Sequence, residues 1–491
     1  MNRSPSARWG VQAWALLCLL LPWVQAWAPL PEAHVVPWLL SWAALAGLWW
    51  VRESLQWPWV VKTWVVAALF NAAVGLLQYF GLAQALEGWV HVPSVLGEAM
   101  GQLRQRNQLA SLLAIGTLGL LWWRSQGLSR AWTLGALVLL MLGQAATGSR
   151  TGLLHSLMIP VLVLWWWRRS GAHRGLLAWA LLALVLQGAA SLLLPSWLLW
   201  WGGPDVAGAL QRMTGSDGCA SRRVLWSNML QLLIERPWSG WGWDGLKYAH
   251  YMADYPGERF CDILGHAHNL PLHLAVTLGL PVALLASLAL VFWLYRQAPW
   301  RETQSARLLA WSVLAVIGLH SLLEFPLWYG PFQMAVLLCL GLLLQGQPLL
   351  APPSVRLQRM LAAAVLTGAV LVGLDYARVR QVFLPASERA AWAQGDAAWR
   401  LARQTLFFGD TVAFAELSVT PVTPDNARAQ LQASLHLLHY SPEPRVIRHL
   451  IDSAERLGET ELAEWHWRQW QRVYRGQDRT TPAKPQDLTG H

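Results

Sequence analysis

The chain has 491 residues, 55% of them apolar and only 13% charged, with a formal charge of +10 and 35 tryptophans. Such a mixture excludes an ordinary water-soluble enzyme and points to a membrane protein. The charge is almost all arginine in short connections between apolar runs, a topogenic pattern rather than the basic face of a nucleic-acid binder.

Runs long enough to cross about 30 Å of hydrocarbon are expected near residues 11–27, 36–51, 63–81, 108–123, 131–147, 152–167, 175–195, 270–295, 307–323, 326–345 and 358–375, about eleven spans in all. Indole pairs and triplets such as Trp49-Trp50, Trp122-Trp123 and Trp165-Trp166-Trp167 close several of them, as interfacial anchors do. The first run ends in Ala26-Trp27-Ala28, which resembles a signal-peptide cleavage site, but every later span keeps its orientation either way. With the N-terminus cytoplasmic, the inside loops carry Arg52, Arg124, Arg130, Arg168, Arg169, Arg174, Arg296, Arg301, Arg307, Arg356 and Arg359. The opposite short loops carry chiefly Arg104, Arg106 and Arg150, so the positive-inside rule selects this topology and places the C-terminus outside.

Residues 1–375 are therefore expected to form a transmembrane domain with a large outside loop at 202–267, followed by an outside helical domain at 376–475 and a polar, disordered tail at 476–491. The fold class is all-α. Amphipathic helices are expected over Ala386–Leu406, Pro424–His439 and Pro444–Tyr474, an arrangement resembling a short tetratricopeptide-like array although no 34-residue repeat is visible. Cys18 and Cys339 lie in spans as small apolar residues, whereas Cys219 and Cys261 share the outside loop, where an oxidising compartment would allow a disulfide.

Chemistry concentrates at the outside junctions. In Gly265-His266-Ala267-His268-Asn269-Leu270-Pro271, Asn269 reads as a helix N-cap with Pro271 in the first turn. His268 then sits at the positive end of a helix dipole, which favours a neutral ring able to act as a base. Two other readings stand beside that one: a histidine anchored at the headgroups, or His266 and His268 as two metal ligands projecting the same way from an extended segment. For a metal, no partner cluster of Cys, Asp or Glu stands at ligand spacing, and no Asp-x-Asp motif would hold Mg²⁺ against a diphosphate, so no metal or cofactor is expected. Arg150, in Thr147-Gly148-Ser149-Arg150-Thr151-Gly152, and Arg222 and Arg223, upstream of Pro237-Trp238-Ser239-Gly240-Trp241-Gly242, could bind phosphate through paired donors. Arg150 could equally snorkel to headgroups, and the loop pair could be solvated charges. A third junction runs from His320 through Glu324 and Pro326 to Tyr329, either a functional polar group at membrane depth or a turn between helices.

In their order along the chain these pieces resemble the O-antigen ligase and polymerase superfamily, most closely its protein O-oligosaccharyltransferase branch. The resemblance rests on Gln105-Arg106-Asn107-Gln108-Leu109-Ala110, Ser149-Arg150-Thr151-Gly152, Arg222 ahead of Pro237 and Gly240-Trp241-Gly242, His268-Asn269 followed by Gly279, and the stretch His320–Tyr329. Arg106 and Val282 depart from the family pattern, which bears on the branch more than on the superfamily. The resemblance implies an enzyme of the bacterial inner membrane whose active site and C-terminus face the periplasm. It would transfer a preassembled oligosaccharide from undecaprenyl diphosphate to a Ser or Thr hydroxyl of a periplasmic protein such as a pilin. His268 would be the base, Arg150, Arg222 and Arg223 would hold the diphosphate, and Asn269, His266, His320, Glu324 and Tyr329 would support them. An O-antigen ligase or polysaccharide polymerase would differ in acceptor. A transporter or flippase would need inverted repeats, and none is visible; a non-catalytic assembly protein would tolerate loss of His268.

Overall fold

In a computed structural model of the chain, the described residues are 5–52, 55–165, 173–206, 218–345 and 354–474. The expected tail at 476–491 and part of the outside loop lie outside them. The described residues contain no β-strand, only an isolated bridge between Glu87 and Val90. The helices are α1 Pro5–Val24, α2 Val35–Trp50, α3 Trp57–Tyr79, α4 Arg106–Ser125, α5 Arg130–Ala146, α6 Arg150–Trp165, α7 His173–Trp200, α8 Arg222–Glu235, α9 Leu246–Met252, α10 Leu270–Leu278, α11 Leu280–Gln297, α12 Ser305–Ser321, α13 Gly330–Leu343, α14 Val355–Arg380, α15 Ala397–Ala402, α16 Gly409–Val419, α17 Ala427–Tyr440, α18 Pro444–Leu457 and α19 Thr460–Val473.

Every apolar run expected from the sequence contains a helix. Among the described residues, four stretches, Trp57–Tyr79, Gly175–Trp200, Leu280–Arg301 and Val355–Phe383, are long and apolar enough to cross a membrane, and six apolar helices are shorter. On α11, Leu285, Leu288 and Phe292 are 71%, 65% and 65% exposed, a surface suited to hydrocarbon rather than water. These features are those of a polytopic membrane protein.

Three expectations need correction. The run 270–295 is not one helix: Gly279, at φ 88°, ends α10 and α11 begins at the next residue. Ala386–Leu406 is likewise not one helix but two short 3-10 turns followed by α15, with Gly395 at φ 56° between them. Similarly, Pro444–Tyr474 is divided by the left-handed Gly458 into α18 and α19.

The chain forms two compact units. The first comprises Met1–Gly215 and Val291–Gly373. Small residues bring its helices together: a Cβ on Gly116 of α4 would lie 2.3 Å from the Ala68 side chain of α3, and one on Gly143 of α5 would lie 2.8 Å from Ala72. Such close approach suits helices that lack a hydrophobic drive to associate in lipid. Two amides of α3 fix the segment leading into α4. Asn71 Oδ1 accepts from the Gln102 amide at 2.8 Å, and Gln78 Oε1 accepts from Met100 and Gly101 at 2.8 and 2.7 Å.

The second unit comprises Ser216–Leu290 and Leu374–His491. The buried side chains of α18, Val446, Ile447, Leu450, Ile451 and Ala454, recur at helical spacing and pack with Leu431, Leu437 and Leu438 of α17 and with Ala463 and Trp470 of α19. Tyr251 of α9 belongs to the same cluster, and its hydroxyl lies 2.9 Å from His466 Nδ1. Helix α9 thus packs with the C-terminal helices. Burial holds His466 down at about 4, and burial first, then Tyr474, pushes the Tyr251 hydroxyl far up against the opposing pull of Arg259.

Candidate functional site

In the second unit, α8 begins at Arg222. Ser221 caps it, its Oγ accepting from the Val224 amide at 3.3 Å. Arg222 and Arg223 thus occupy the first turn, where the helix dipole is positive. Cations are disfavoured there unless an anion joins them, so this turn is a natural seat for phosphate. Arg223 is exposed, whereas Arg222 is partly buried and turns to a histidine.

That histidine is His268. Arg222 Nη1 lies 3.2 Å from His268 Nδ1. A guanidinium can only donate, so Nδ1 accepts, and a neutral ring carries its hydrogen on Nε2. His268 has φ 51°, a left-handed conformation uncommon for a side-chain-bearing residue and the kind of strain that gathers at functional sites. Its neighbours hold it there. The Ala267 carbonyl accepts from Trp226 Nε1 of α8 at 3.1 Å, and Asn269 caps α10 through Oδ1, accepting from Leu272 N at 3.0 Å. The expected N-cap is therefore present, with His268 immediately before it.

The backbone at His268 is left-handed rather than extended, and His266 sits with its ring centroid 5.0 Å from that of His273, a buried residue of α10. Burial, and then the neighbouring His268, keeps His273 neutral, at about 4. Among the described residues, no three His, Cys, Asp or Glu side chains gather as a metal site.

The Pro237–Gly242 stretch serves the backbone. Trp241 N donates to Val276 O and Gly242 N to Thr277 O, both at 2.9 Å, while Leu280 N donates to Pro237 O at 2.8 Å. A Cβ on Gly240 would lie 2.4 Å from Thr277 O, and one on Gly279 would lie 2.1 Å from Trp238 O. The two glycines, far apart in sequence, thus form one clasp around the end of α10. Cys219 and Cys261 are bonded, with Cα atoms 5.4 Å apart, closing the loop between the start of α8 and the approach to His268.

In the first unit, three sequence motifs meet at Asn107. Its Nδ2 donates to Glu324 Oε1 at 3.0 Å, and its Oδ1 accepts from Ser149 Oγ at 2.6 Å. Ser149 Oγ in turn accepts from the Gly152 amide at 3.0 Å. One turn along α4, Ser111 Oγ donates to the Asn107 carbonyl at 3.1 Å and lies 2.7 Å from His320 Nδ1. Glu324, His320, Ser149 and Ser111 are all buried, and Arg150 stands exposed at the start of α6 beside this chain. Pro326 opens a short 3-10 turn, and Tyr329 ends it as the N-cap of α13, packed against the apolar core. Arg106 pairs with Glu98 at 2.9 Å.

The structure therefore joins Arg222 to His268, and Ser149 and Glu324 through Asn107, whereas Arg150 belongs to the second of these groups. Asn107, Ser111 and Trp226 were not singled out as site residues by sequence. Asn107 and Ser111 sit one helical turn apart, which was legible as a polar stripe entering a span. Nothing in the sequence marked Trp226 among so many tryptophans.

A family model described as O-Antigen ligase matches residues 135–287, and one described as Virulence factor membrane-bound polymerase, C-terminal, matches residues 308–487. The first stretch holds Arg150, Arg222 and His268, and the second holds the His320–Tyr329 junction and the C-terminal helices. The chain is also similar to the General O-oligosaccharyltransferase of Acinetobacter baylyi (strain ATCC 33305 / BD413 / ADP1), being 27% identical over 128 residues. That match covers 26% of this chain and 22% of the relative, about a fifth of its length. No solved structure matches the chain.

Proposed function

We propose that this chain, whose residues 135–287 and 308–487 match the O-Antigen ligase and membrane-bound polymerase models, is a protein O-oligosaccharyltransferase, moving a preassembled glycan from undecaprenyl diphosphate to a Ser or Thr hydroxyl of a periplasmic protein such as a pilin. The observation that carries this reading is the 3.2 Å contact between Arg222 and His268. The similarity to a relative named as an O-oligosaccharyltransferase supports the choice of branch. The enzyme works in the inner membrane with the Cys219–Cys261 segment in the periplasm, where that bond is at home.

Donor binding brings a diphosphate to the first turn of α8, where Arg222 and Arg223 meet it. Once the guanidinium of Arg222 turns to the phosphate, His268 Nδ1 is left with a lone pair. The acceptor hydroxyl oxygen then attacks the anomeric carbon, the bond from that carbon to the phosphate oxygen breaks, and His268 Nδ1 takes the hydroxyl proton. Undecaprenyl diphosphate leaves with its negative charge held by the arginines. Asn269 and His266 keep the His268 segment in place.

Purified protein supplied with a lipid-linked oligosaccharide and a pilin is expected to add the mass of one glycan to the pilin, and His268→Ala to abolish the addition. An active donor with no added mass would overturn protein transfer. The match to a membrane-bound polymerase model over residues 308–487 favours a second reading, in which the acceptor is another lipid-linked glycan. The same reaction without pilin then yields a ladder of longer lipid-linked products.

A further inference from the structure

We propose that the segment Glu258–Ala267 is a strap, tied at three places to α8 and the turn just ahead of it, whose work is to aim His268; Trp226 and the Cys219–Cys261 disulfide are its positioning elements. This rests on the reading of His268 as the base. Two of the ties come from α8 itself. Asn228, in the second turn of α8 and buried, holds the far end of the segment, its Nδ2 donating to Glu258 O at 3.0 Å and its Oδ1 accepting from Phe260 N at 2.8 Å. Cys261, the next residue, is bonded to Cys219 just ahead of the helix. Trp226 then fixes the last residue before the histidine, donating to Ala267 O at 3.1 Å while the Ala267 side chain is fully buried.

The arrangement has a geometric purpose. The helix that presents Arg222 carries the Asn228 and Trp226 ties, and the disulfide is anchored in the turn just ahead of it, so guanidinium and imidazole share a single frame. A left-handed residue between a pinned carbonyl and an N-cap has little freedom to relax, and its ring direction follows from the two anchors. Asn228 and Trp226 grip through hydrogen bonds that are replaceable one at a time. The disulfide removes the loop's largest excursions.

Trp226→Phe keeps an aromatic side chain at the site and deletes the N–H donor. In the full-length protein, transfer to pilin is measured per bound lipid-linked donor, with donor binding titrated separately so that any misfolded fraction drops out. The expected result is a rate per bound donor about tenfold lower with donor affinity unchanged, as a displacement of a reacting group by a fraction of an ångström produces. Cys219→Ser/Cys261→Ser is expected to lower the same rate less, and the combined variant to lose more than the product of the two, since each tie buffers loss of the other. An unchanged rate per donor in Trp226→Phe would overturn the strap, and so would loss of donor binding, because a device that only aims the imidazole leaves the donor seat intact. Wild-type protein that binds donor but transfers nothing would instead sink the transferase reading itself.

Discussion

His268 carries two demands on one residue: a ring with a basic nitrogen and a backbone at φ 51° that glycine would adopt with less strain. His268→Gly separates them, since it keeps or eases the fold while removing the imidazole. Glycan transfer is expected to fall at least about a hundredfold and to be restored in part by free imidazole added to the assay. Wild-type rates in the glycine variant would show that the ring is not the base. Asn107 makes the matching case in the first unit, because its amide donates to Glu324 and accepts from Ser149. Asn107→Leu leaves the buried carboxylate without that donor and is expected to cost about 1–3 kcal/mol, read as a lower unfolding temperature in detergent. Asn107→Asp would not rescue it, as two carboxylates would then face each other.

Elements explain what single residues do not. The clasp made by Gly240 and Gly279 holds the Trp238–Gly242 turn against the last turn of α10, with both glycines at positive φ and neither having room for a Cβ. Gly279→Ala is expected to destabilise the second unit by at least about 1–2 kcal/mol from the left-handed backbone alone, with the steric collision added to that. Thermal unfolding followed by near-UV circular dichroism checks it, and an unchanged midpoint would mean that the clasp gives way without cost. Much of this level was legible in advance. The N-cap at Asn269 could be read because a polar residue two before a proline satisfies helix amides through local chemistry. The clasp could not, since Gly240 and Gly279 gain their meaning only when two distant backbones touch. Apolar content likewise showed that 270–295 would be helical but not where it would break: hydropathy records burial, and the break at Gly279 is a matter of φ.

At the scale of the molecule, each unit has its own chemistry of burial. The second places three neutral histidines inside: His250 is held at about 3 by burial and then by Arg259, while His273 and His466 are held at about 4 by burial first. All three lie below the ordinary histidine value, so the unfolded chain takes up their protons at a higher pH than the folded one. Stability from these groups is therefore complete above about pH 6.5 and falls as the pH drops from there toward about 4, by roughly 1.4 kcal/mol per pH unit for each histidine. Below the folded values the loss levels off. Lowering the pH from 7.5 to 4.5 is thus expected to lower the unfolding temperature of the α17–α19 helices, followed by hydrogen exchange of their amides. His466→Gln should flatten that dependence by one proton, because the amide keeps a partner for the Tyr251 hydroxyl without titrating. A variant as acid-sensitive as the wild type would mean that His466 is already protonated in the folded protein, and that its stacking with Tyr251, rings 5.9 Å apart, is made by an imidazolium.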